Sequence, residues 1–74
     1  MPDKIENCIE FGQKIRNLRK AKGYSQESFA DHANIHRTYM GGIERGERNP
    51  TLTTIYRIAE ALEVAPWELL KSDD

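Results

Sequence analysis

The sequence predicts an all-α fold: five short helices in a single domain. Three observations lead there. Apolar residues recur at intervals of three and four in several short blocks, the spacing of one helix face. No stretch alternates with period two for long, and valine occurs once, which argues against a sheet. Each block is set off from the next by glycine, asparagine or proline, and 74 residues leave room for one domain and no more.

The first helix is expected from about Cys8 to Lys22. Phe11, Ile15 and Leu18 form its stripe, which Ile5, Cys8 and Ile9 continue backwards. Asn7 is the expected N-cap and Gly23 the stop. Lys14, Arg16, Arg19, Lys20 and Lys22 crowd the C-terminal half, where the helix dipole favours cations. Residues 1–7 thus read as an N-terminal extension, 8–71 as the domain and 72–74 as a frayed tail. The second helix starts behind the N-cap Ser25 and runs to about Ala33, with Phe29, Ala30 and Ala33 inward and Asn34 in a left-handed turn. The third runs from about His36 to Arg45 on Met40 and Ile43, and Gly46 stops it. The fourth follows the cap Thr51 and has the cleanest stripe: Leu52, Ile55, Ile58, Ala59 and Leu62. Pro66 opens a short fifth helix carrying Trp67, Leu69 and Leu70.

Composition removes whole classes of function. Apolar residues at 38% are too many for a disordered tail, and no apolar run is long enough to cross a membrane. The lone Cys8 has no internal disulfide partner, as expected of a reducing cytoplasm. His32 and His36 stand on either side of a turn with no second cysteine, so neither metal nor cofactor is expected. No nucleophile sits beside a base, which argues against an enzyme. The net charge of −1 hides an asymmetry. Residues 11–57 hold nine basic side chains against four acidic ones, and both ends of the chain are acidic. A basic middle suits a polyanion.

Residues 25–46, SQESFADHANIHRTYMGGIERG, satisfy together the demands of a helix-turn-helix. Small apolar residues face inward on the first helix, Asn34 tolerates the turn, and a polar face is left on the second helix while Met40 and Ile43 hold it. With IRNLRKAKGYSQESFA, IHRTYMGGIERGERNPTL and IYRIAEALEVAPWELL, the chain resembles the phage-repressor-like, xenobiotic-response-element type of helix-turn-helix family over about four-fifths of its length. HRTYMGGIERGERNP and APWELL are most similar to the controllers of restriction–modification systems. Phage and mobile-element repressors share these pieces, and antitoxin-type partner-binding modules share the fold.

The resemblance implies a sequence-specific transcriptional regulator whose third helix enters the major groove of double-stranded DNA as a cytoplasmic homodimer. It leaves room for two dimers on adjacent sites and gives no reason for a small-molecule ligand. Arg37, Thr38 and Gly42 match base-facing positions, with Arg48 close enough to touch a base or a phosphate. Gln26, His36, Tyr39 and Arg45 match phosphate positions. Arg19 and Glu44 match an ion pair that ties the third helix to the first. The terminal apolar residues Leu62, Val64, Trp67 and Leu70 are expected at a dimer interface. Glu27 and Asp31, four apart on one exposed face, are candidate contacts for RNA polymerase. The chain departs from the family pattern in the doublet Gly41-Gly42, in Glu63 where a glycine is usual, and in Ala65 where a hydroxyl cap is usual.

Overall fold

The computed structural model describes the backbone of residues 2–71 and the side chains of residues 6–71. The sequence-expected tail, residues 72–74, lies outside the described residues. The five helices are α1 (Pro2–Ala21), α2 (Gln26–Ala33), α3 (Arg37–Glu44), α4 (Leu52–Leu62) and α5 (Pro66–Leu70). α1 corrects the expected start at Cys8. It begins six residues earlier, and Asn7 lies inside the helix rather than capping it. Proline lacks the N–H that a first helical turn would leave unpaired, so Pro2 is a workable starting residue. The boundary drawn after residue 7 therefore does not coincide with a helix end. Twenty residues at about 1.5 Å each give α1 a length near 30 Å.

α1 packs on α3 and α5, α2 on α3 and α4, and α4 on α5. Phe11 and Ile15 from α1 meet Phe29 and Ala30 from α2, Met40 and Ile43 from α3, and Ile58 and Leu62 from α4; Leu69 closes the far end. Leu52 and Ile9, which the periodicity placed on inner stripes, are 65% and 48% exposed. Leu52 is the outermost apolar residue of its stripe, and Ile9 meets the turn at Gly46.

The first four helices end in one and the same way. After each, a residue with positive φ (Gly23, Asn34, Gly46, Glu63) turns the chain left-handed. The next residue's N–H returns to a carbonyl five positions back: Tyr24 to Arg19, Ile35 to Ala30, Glu47 to Gly42 and Val64 to Ala59, at 2.9–3.1 Å. Glu63 holds this conformation with a φ of 60° although it carries a side chain. Starts are equally local. Ser25 and Ser28 cap each other, Thr51 accepts from the Thr54 N–H, and Ala65, lacking a hydroxyl, is served only in part, when Glu68 accepts from its N–H at 3.1 Å.

One close approach goes beyond the expectations above. Gly12 sits where α1 crosses the end of α3, and a Cβ there would fall onto the Ile43 carbonyl and within 2.6 Å of the Glu44 oxygen. Only glycine lets the two backbones come so near.

Candidate nucleic-acid interface

α3 is held from inside and charged outside. Met40 and Ile43 are fully buried, whereas Arg37 and Thr38 are exposed and Tyr39 is half-buried against the core. His36 stands just before the helix as its N-cap, its Nδ1 accepting the Thr38 N–H at 3.2 Å. The Nε2 edge of the exposed ring has no hydrogen-bond partner among the described residues.

The inner end of α3 is fixed by a buried polar network. Arg19 donates to both Glu44 oxygens, at 2.7 and 2.9 Å, and also to the Tyr24 carbonyl at 2.9 Å. Both side chains are buried, 8% and 3% exposed. The bidentate geometry and the extra acceptor satisfy a pair that would otherwise be costly to desolvate. Gln26, matched to a phosphate position, turns its amide nitrogen to Glu44 at 3.1 Å. It thereby joins the network that positions α3, at the first residue of α2.

The arginines of the outer face differ in their partners. Arg37 donates to Asp31 at 3.0 Å and lies 3.6 Å from Glu27, so the two α2 carboxylates flank its guanidinium. That hydrogen bond holds the Asp31 carboxyl below its ordinary value and raises Arg37 above its own. Periodicity put Glu27 and Asp31 on one exposed face; it did not show that Arg37 comes back across the turn to meet them. Arg45 pairs with Glu47 at 3.2 Å. Arg48 is exposed and has no hydrogen-bond or ion-pair partner among the described residues.

Two sequence expectations are corrected. Gly42 does not face outward to a base: it is buried, and the Arg48 stem lies across it. Leu62 is fully buried in the core, because the α4 stripe turns inward from Ile55 onward, and so it has no surface for a second chain. Val64 is half-buried against that core, whereas Trp67 and Leu70 stand out, 61% and 59% exposed, with the Lys71 ammonium over the indole. His32 stacks on Tyr24 at 5.1 Å. Among the described residues no three His, Cys, Asp or Glu side chains gather as a metal site would require. No described helix is long and apolar enough to cross a membrane.

A basic face on the second helix of a helix-turn-helix is the arrangement that reads DNA. A family model for the helix-turn-helix matches residues 15–69. The chain belongs to that family. Helix-turn-helix proteins similar to it include the control protein C.BamHI of Bacillus amyloliquefaciens, 49% identical over 61 residues that make up 81% of this chain and 75% of that one. The restriction–modification controller C.AhdI from Aeromonas hydrophila matches with a TM-score of 0.84 and 47% identity, over 86% of this chain and 97% of that one. The biofilm master regulator SinR, solved in complex with DNA, matches with a TM-score of 0.79 and 34% identity, over 82% and 98%. The protein is a DNA-binding transcriptional regulator of the xenobiotic-response-element type, in a family of regulators rather than enzymes.

Proposed function

We propose that the protein controls a restriction–modification operon as a cytoplasmic homodimer on a pseudo-palindromic operator. The observation that carries the reading is the convergence of three arginines on α3: Arg37 on its first turn, Arg45 beside Gly41 and Arg48 across Gly42. Similarity to C.AhdI over nearly that protein's whole length supports the controller role. Arg37, Thr38 and Arg48 read bases, because arginine pairs bidentately with guanine and a threonine methyl meets that of thymine. His36, Tyr39, Arg45 and Gln26 sit by phosphates and fix the register. One such helix covers only a few base pairs, and a two-fold axis through the exposed Trp67 and Leu70 doubles them. Glu27 and Asp31 together outweigh the one guanidinium they flank, so α2 offers a net negative patch to a basic surface of RNA polymerase.

The test is fluorescence anisotropy with duplexes from the protein's own upstream region over a salt series. Log affinity should fall with log salt with a slope of about −5, as for a dimer meeting roughly six phosphates. Arg37→Ala should lose about ten- to a hundredfold on the operator and discriminate less among operator variants. A flat salt dependence would instead favour a partner-binding module. For the polymerase patch, Glu27→Gln with Asp31→Gln frees Arg37 and should leave DNA affinity equal or better, yet lower transcription when compared at matched operator occupancy.

A further inference from the structure

Glycine is a poor helix former, and α3 contains two in succession. Neither is demanded by the backbone. Positive φ occurs among the described glycines at Gly23 and Gly46, and not at Gly41 or Gly42. The demand is for space. A Cβ on Gly42 would stand 2.7 Å from Arg48 Cγ, 3.4 Å from its Nε and 3.6 Å from its Cδ. The middle of the arginine stem therefore occupies the place where a side chain would be. At Gly41 a Cβ would meet only the far ends of flexible side chains, Arg45 Nη1 at 3.0 Å and Gln26 Oε1 at 3.2 Å. Arg48 has no polar partner among the described residues, and the contact with Gly42 falls at the middle of its stem.

We infer that Gly42 is a positioning residue for Arg48: its bare Cα is the seat across which the arginine stem lies, so that a loop residue is carried alongside α3 as an additional specificity-determining side chain. The inference rests on the reading of α3 as the groove helix. It explains why an exposed loop arginine would read a base and not merely neutralise a phosphate. A long side chain already laid in one direction loses less freedom on binding, and a fixed fork can be matched to a base edge.

The experiment compares Gly42→Ala, Arg48→Ala, the double variant and Gly41→Ala on a fluorescein-labelled duplex selected in vitro with the wild-type protein. Gly42→Ala and Arg48→Ala should each weaken binding about tenfold and relax preference at the same base position. The double variant should be no weaker than Arg48→Ala, and Gly41→Ala should lose less than Gly42→Ala. Because alanine is the better helix former, the melting temperature of Gly42→Ala should not fall. Wild-type affinity for Gly42→Ala, or losses that multiply in the double variant, would overturn the seat. Nuclear magnetic resonance of the free wild-type protein tests the seat without DNA or any variant. Arg48 Hγ should show an Overhauser contact to Gly42 Hα, and its Nε should be more ordered than that of Arg57; absence of both would also overturn it. If the contact is present but Arg48→Ala binds DNA as wild type does, the seat stands and it is the DNA role of Arg48 that falls.

Discussion

The two halves of the chain use their surfaces in opposite ways. From α1 to α3 the outside is charged, with Arg37, Arg45 and Arg48 around one helix, while the inside holds a buried ion pair and a backbone crossing at Gly12. In α4 and α5 the inside is purely apolar, and most of the large exposed hydrophobic side chains lie outside, Leu52, Tyr56, Trp67 and Leu70, against Ile9 alone in the described part of the first three helices. A buried polar network fixes one orientation of its helices, as a reading head requires; exposed apolar side chains gain free energy only when something covers them. One half thus carries its charge outside and a fixed polar network within, and the other leaves apolar side chains on its surface.

The sharpest way to break this contrast is at the buried pair. Arg19→Met or Glu44→Met leaves an uncompensated buried charge and should destabilise the fold by about 3–5 kcal/mol, close to the whole stability of a small domain. The double variant should recover most of that loss, as urea melts of the cycle will report. Gly12→Ala comes next. The added methyl presses α1 off the end of α3 and should cost about 1–3 kcal/mol, with a lower thermal midpoint and weaker DNA binding. In the other half, Trp67→Ala with Leu70→Ala should change the stability of the monomer by less than about 0.5 kcal/mol. If the proposed dimer closes on these residues, sedimentation should give dimer for the wild type and monomer for that variant at the same concentration. The smallest effect lies at Arg37. The Asp31 carboxyl is held below its ordinary value of 3.8, so its pairing with Arg37 is fully present at neutral pH and is lost only as pH falls through the lowered value. Carbon-detected titration of Asp31 should give a midpoint under 3.8, returning to it in Arg37→Ala.

What the sequence disclosed follows the range of the forces involved. Helix ends from Ser25 to Pro66 were legible because each depends on residues within one turn: a hydroxyl at Ser25 or Thr51, a left-handed turn at Asn34, a proline at Pro66. The Arg19–Glu44 pair, 25 residues apart, carries no local mark and came from family resemblance alone. Periodicity named Leu52 and Leu62 as members of one stripe, but which end of a stripe is covered depends on neighbours far off in the chain. The α1 start was missed because an N-cap was sought at Asn7 when Pro2 already serves as a beginning. Gly12 did leave a signal: a single glycine inside an otherwise regular helical pattern, which usually marks a packing reason. Gly42 was noticed, and its use was misread, because the loop that returns Arg48 to it is not encoded in any spacing.

The attachment of α3 is lopsided. Its C-terminal end is clamped by Gly12, Arg19 and Gln26, while its N-terminal end is held by a histidine cap and an exposed ion pair. In native-state hydrogen exchange such a helix should open from its N-terminal end first. The amides of its first turn report local fraying, and those near Ile43 wait for global unfolding. The helix behaves as a key fixed at the bow and sprung at the bit. Its first turn can shift against whatever it meets, while its register against the body of the protein stays constant.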